Sequence, residues 1–500
     1  MNAAMRQLRR PVPSVLLLVL LALGAWRCGD DAGTAPETGP VVATVGEREI
    51  DWNHVWRSYH LRPMWGRGLT RAEAFGNQLA FLVEEKLFAQ EAARHGADTT
   101  ADLAGFIDFI EDKEVIKELY RREVEATVEI GEAELQQAYQ WSKRHVTLDF
   151  VLTPDPGRAL AYRDSLTRMP AAEITLAQPG PEEKGTTPSY SFGDMRPQVE
   201  AVVFDLDSGA VAGPIEVDGR YMVVKVVGGY VDAFQSEQDY AEAKSKLDRI
   251  IRERKTRVLS DAYIADMMAP VDVSIERDAF VMLARQFNQV VQAKTSDNPI
   301  PVYLDNRELR TVEGNLADLM SAPLATFDGR TLTIGDFLTH LFNMPASLRP
   351  QVNMVPALQR AVGVTVRNIY LAERARAQGL DEAPAVRREV RIQTDEALAT
   401  WYKNRIRAGL SVDAAEIDSF RASDDMTELK NSYAGEITDE LIRAGLSDRK
   451  YARARLALVD SLSTVFAVSV DSSAFLGQIE NPDQEIDENP VRVFYKERFE

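Results

Sequence analysis

Cys28 is the only cysteine in a chain of 500 residues, so no intrachain disulfide can form and stability must come from packing. Histidine is scarce as well: His54, His60, His95, His145 and His340 lie far apart without ligand spacing, which argues against a metal site. No glycine-rich phosphate cradle and no nucleophile elbow occurs, so neither a nucleotide nor any other cofactor is expected. Positive charge is in deficit, with 58 lysines and arginines against 77 acids. Loss of the four arginines in residues 1–27 would take the formal net charge from −19 to −23. A surface of that sign repels phosphate backbones, which excludes nucleic acid as a partner. Long apolar runs are missing too, since VLLLVLLALGAW is only about twelve residues and too short to span a bilayer comfortably.

That short run follows Arg6, Arg9 and Arg10, and the combination reads as a signal peptide over residues 1–27. Cys28 comes next, followed by GDDAGTAPETGP, a small-residue tether through residue 40 that cannot build a core. The junction resembles a bacterial lipoprotein signal, which implies lipid on Cys28 and a membrane anchor. Trp26 and Arg27 are bulkier than that pattern uses, and an ordinary signal cut near Ala35, or an uncleaved anchor, is the other reading.

What the chain does have is a repeat. VVATVGEREIDWNHV from Val41 reads again as PLATFDGRTLTIGDF from Pro323, an offset of 282 residues. EEKLFAQEAARHGAD matches VRNIYLAERARAQGLD, setting Gly96 against Gly379, and Tyr120 matches Tyr402. Phe75, Leu79, Leu82, Val83 and Leu87 recur at three- and four-residue spacing, as do Leu358, Val362, Val366 and Tyr370, so each copy contains an amphipathic helix. Both copies close alike, VDVSIERDAF ending at Phe280 and FAVSVDSSAF at Phe475, an offset of 195. The first copy therefore carries roughly 87 extra residues, the size of a small domain. That segment reads strand, helix, turn-rich loop, helix and hairpin, an α+β texture inside an otherwise helical unit.

The expected organisation is a helical unit over 41–142 with 235–280, a small domain over 143–234, a connector over 281–322, a second helical unit over 323–475 and a tail over 476–500. The fold class is mainly α with one inserted α+β domain. On ATVGEREI, LVEEKLFAQEAARHGAD and the stretch GDMRPQVEAVVFDLDSGAVAGPIEVDGRYMVVKV, the chain resembles the SurA and PrsA class of exported folding factors. In that class a helical chaperone domain is split by a parvulin-type peptidyl-prolyl isomerase domain.

The resemblance implies a proline pocket at Met195, Val199 and Phe204, with Asp149 and Tyr221 in place of the family's two histidines. Valine at 199 stands where the family has an aromatic ring, and the loop around Gln178 holds neither the cysteine nor the aspartate the family places there. Asp149 and Tyr221 are expected to hydrogen-bond across adjacent strands. Trp52, Trp56, Tyr59 and Trp65 form a local aromatic cluster that reads either as core or as a groove for client peptide. The implied partners are unfolded or partly folded exported polypeptides, bound without nucleotide in a periplasmic or other extracytoplasmic compartment. The competing expectation is an assembly lipoprotein that docks one folded partner on the same scaffold.

Overall fold

The computed structural model describes residues 39–62, 68–232, 236–295, 304–427 and 435–479. Cys28, the signal peptide, the tether before residue 39 and Trp65 lie outside the described residues.

The chain opens on a hairpin, β1 (Val41–Val45) and β2 (Arg48–Asp51), followed by α1 (Trp52–Leu61), α2 (Arg71–Arg94) and α3 (Ala101–Glu123). Next come α4 (Glu132–Ser142), β3 (Arg144–Thr153), α5 (Pro156–Arg168), β4 (Glu183–Thr186), α6 (Pro197–Val203), β5 (Val211–Val217) and β6 (Arg220–Val231). After α7 (Glu237–Met268) and β7 (Val273–Ile275) stand α8 (Arg277–Thr295) and α9 (Asn306–Asn315). The hairpin motif then recurs as β8 (Pro323–Phe327) and β9 (Arg330–Thr333), with α10 (Ile334–Asn343), α11 (Val355–Ala377) and α12 (Pro384–Ala408). The described chain ends with α13 (Ala414–Arg421), α14 (Asp439–Val465), β10 (Val468–Val470) and α15 (Ser472–Ile479). It is mainly helical with small antiparallel sheets, as expected. Two compact units result: one runs from Leu119 to Val273, and the other joins the residues up to Glu118 to those from Ser274 onward.

The larger unit holds two similar lobes, each built on one hairpin. β1 buries Val42, Ala43 and Val45, and β8 buries Leu324, Ala325 and Phe327 at the same steps, with the same register irregularity between Val41 and Ala43 as between Pro323 and Ala325. Gly96 and Gly379, just past α2 and α11, both sit at φ 69° and ψ 25°, the left-handed conformation that ends a helix and that glycine adopts without steric cost. A capping box opens α2, with Thr70 and Glu73 satisfying each other's backbone N–H groups.

The closing strands are exchanged between the repeats. β10, from the end of the second repeat, pairs with β1 of the first, with Ala43 opposite Val470 and Val45 opposite Val468. β7, from the end of the first repeat, joins β8 of the second, and the N–H of Glu276 donates to the Leu324 carbonyl at 2.9 Å. Helices follow the strands. The core of the first lobe combines Phe75, Leu82 and Phe88 of α2 with Leu398 and Tyr402 of α12, Leu462 of α14 and Phe475 of α15. In the second lobe α8 packs on β8 and α9 on α10, where Phe287, Leu309 and Phe337 are fully buried. Neither lobe is completed by its own repeat.

The smaller unit is a four-stranded antiparallel sheet in the order β4-β3-β6-β5. One face packs on α5 through Val151, Val223, Ala159 and Leu166. The opposite face, with Leu148, Phe150, Leu152, Met222 and Val224, packs on α6 and also receives Leu135 and Ala138 of α4 and Leu247 and Ile251 of α7. The helices flanking the insertion are therefore part of its core.

Candidate functional site

The face of the sheet away from α5 carries a cavity of about 50 Å³, more than one water's share of the liquid. Its floor is Leu148, Phe150 and Leu152 of β3 with Met222 and Val224 of β6, and Met195 and Val199 form a wall. Every second residue of β3 points there, as a pleated strand requires. The rim is charged and paired. Arg196 meets Asp218 at 3.0 Å, and Arg220 meets Glu183 at 2.8 Å.

Two buried carboxylates hold this rim in place. Glu200 of α6 accepts hydrogen bonds from the N–H groups of Gly193 and Met195 at 2.9 and 3.0 Å, and Arg254 of α7 donates to it at 2.7 Å. The segment carrying Met195 is thus tied to both helices. Gly193 lies at φ 101° beside Ile250 of α7, a place where a side chain would be strained and crowded. Glu182, just before the rim residue Glu183, accepts from Thr153 Oγ1 and Tyr162 Oη at 2.9 Å each and from the Gln178 N–H at 2.8 Å, with Arg158 at 3.2 Å. Burial alone would raise its pKa, but the hydrogen bonds and Arg158 outweigh that and hold the carboxyl below its ordinary range. For the Tyr162 phenol the balance goes upward, through desolvation and the neighbouring carboxylate.

The residues expected at the site divide. Met195 and Val199 line the cavity. Phe204 does not: it is 2% exposed, in core, with its ring 5.8 Å from that of Trp141 at the end of α4. Asp149 and Tyr221 lie on the α5 face, turned away from the cavity by one step of the pleat. Asp149 is opposite Lys225 and Tyr221 opposite Thr153, so no hydrogen bond joins them. The Asp149 carboxylate is instead filled by the Ala171 N–H at 2.9 Å and Thr186 Oγ1 at 2.6 Å, and it pins the loop after α5 to β4. Gln178 turns its N–H to Glu182, so its loop serves as scaffold for the rim.

The aromatic cluster is core where it is described. Trp52 is fully buried, with ring centroids 4.9 Å from Phe75 and 5.9 Å from Phe475. Trp56 and Tyr59 pack half-buried on the same core, and Tyr59 lies 4.5 Å from Phe75.

The residues not anticipated are the floor and the rim. Alternation of Leu148, Phe150 and Leu152 with Asp149, Val151 and Thr153 could have located the floor, because it sets Asp149 on the other face. Glu200 and Glu182 carried no such signal. Chemically, the cavity offers an apolar seat ringed by paired charges, with no general acid or base on its floor.

No family model and no curated protein matches the chain. Among solved structures, similarity extends to a peptidylprolyl isomerase, PrsA from Bacillus cereus, at 12% identity over 56% of this chain and 99% of that one, with a TM-score of 0.23. A likeness that distant carries no argument, and the reading below rests on the geometry and on the residues themselves.

Proposed function

We propose that the chain is an exported folding factor that acts on unfolded or partly folded extracytoplasmic polypeptides, held at a membrane through lipid on Cys28. The small unit seats an apolar residue, proline above all, in the cavity walled by Met195 and Val199. That cavity is the observation that carries the reading. Rotation about an X-Pro bond breaks no covalent bond, and its barrier of roughly 18–20 kcal/mol comes from amide resonance. A desolvated seat that grips the ring and favours the twisted amide over the planar one lowers the barrier without a nucleophile. The charged rim suits an extended backbone crossing the mouth.

The test is a proline-limited refolding assay, run beside an aggregation assay on several unrelated clients. Met195→Ala should slow isomerisation by about one to two decades, the equivalent of roughly 1–3 kcal/mol of lost contact felt at the twisted amide. Val199→Phe should block the seat, because the ring takes up the void itself, and should leave the fold as stable or more so. No acceleration by the native protein would remove the isomerase part of the reading. Suppression confined to a single client would point to the assembly role.

A further inference from the structure

The exchange of arms within the larger unit raises the question of what directs it, since each hairpin could have accepted its own repeat's arm. A ladder of four charges stands where α12 docks on the first lobe. Arg388 of α12 grips Asp51 with contacts of 2.7, 2.9 and 3.0 Å and meets its neighbour Glu389 at 3.2 Å, while Arg57 of α1 holds Glu389 at 2.9 and 3.0 Å. All four side chains are 12–21% exposed. Asp51 also caps α1 by accepting from the His54 N–H at 2.9 Å.

Among the described residues the second lobe shows no such ladder. In the repeat register, Asp51 corresponds to Thr333 and Arg57 to Thr339. The arm α3 also lacks it. Arg388 and Glu389 correspond to Phe106 and Ile107 in the register set by Tyr120 and Tyr402, or to Gly105 and Phe106 in that set by Gly96 and Gly379. Neither register puts a charge there. If α12 folded back on its own lobe, Arg388 and Glu389 would face threonines. If α3 folded back on the first lobe, Asp51 and Arg57 would face apolar side chains or glycine. Only the exchanged arrangement satisfies all four charges, and a half-buried charge left without its counterion disfavours a wrong partner. α3 instead reaches the second lobe through Asp102 with Arg310 at 3.5 Å and Asp112 with Arg376 at 2.5 Å.

We infer that the face bearing Asp51 and Arg57 is a charge-coded docking surface whose partner is α12 of the same chain, and that this code fixes the exchange.

The test uses the full chain with a protease site placed between Thr295 and Leu304 and cut under native conditions. Because each lobe draws on both pieces, the cut protein should stay together as a 1:1 complex on dilution. Arg388→Ala or Glu389→Ala should weaken the association of the pieces at least about tenfold. Asp102→Ala, at an exposed pair, should change it less than about threefold. Should the truncations impair folding, charge reversal decides: Glu389→Arg combined with Arg57→Glu should associate at least about tenfold more tightly than Glu389→Arg alone. Separation of the wild-type pieces into two independently folded halves would overturn the inference. So would truncations with less than a twofold effect, or a reversal pair no better than its single variant.

Discussion

Asp149 shows how a single step of the pleat decides between chemistry and scaffold. Its carboxylate secures the loop after α5 through Ala171 and Thr186, so Asp149→Ala leaves the buried Ala171 N–H unpaired and should cost about 1–3 kcal/mol of stability. Chemical denaturation of the small unit measures that. Proline turnover per folded molecule should be unchanged, because the side chain does not reach the cavity. Glu182 gives the pH counterpart. A carboxyl whose folded pKa lies below its ordinary 4.5 contributes stability that is complete above that value and is lost as pH falls through the lower folded value. Acid titration of unfolding should therefore show the rim loop loosening below about pH 4.5, and Glu182→Gln should flatten that slope while lowering stability at neutral pH. The cavity wall was legible in the sequence because Met195 and Val199 belong to an ungapped stretch with a recognisable register. The floor was not read, although Asp149 and Thr153 mark the other face of β3, because Val151 makes that face partly apolar too and β6 carries Val223 on one side and Met222 and Val224 on the other, so hydrophobicity alone did not single out the cavity face.

Among the elements, the repeat was readable because each copy must solve the same local problem: a tight hairpin, a helix start, a helix end at glycine. The exchange of strands was unreadable for the same reason. β7 and β10 carry VSI and VSV, and either could add to either hairpin with the same alternation, so local pattern cannot say which edge each one finds. The helices around the insertion give a further expectation. Excising residues 143–234 removes the partners of Leu135 and Ala138 on α4 and of Leu247 and Ile251 on α7. A helix without its apolar contact is marginal in water. The excised protein should keep the two-lobed unit folded while α4 and α7 lose protection in hydrogen exchange. Retained protection there would mean these helices are supported from elsewhere.

At the scale of the whole molecule, the first lobe depends on the far end of the chain. Phe475 of α15 is 8% exposed and its ring meets Trp52 at 5.9 Å. Phe475→Ala should cost roughly 3–5 kcal/mol, and thermal unfolding should show the larger unit melting earlier while the small unit is unaffected. An unshifted melting profile would show that α15 adds little to the first lobe.

The pairing of Ala43 with Val470 has a consequence for biosynthesis. The first hairpin leaves the ribosome more than 400 residues before the strand that completes its sheet. At roughly 5–20 residues per second, about 20 to 85 seconds separate the two events. Throughout that interval one edge of β1 is unpaired, and Trp52, fully buried in the finished protein, has the cover of Phe75 but not that of Phe475. The nascent chain would need shelter from the very hazard its finished form is proposed to relieve in others.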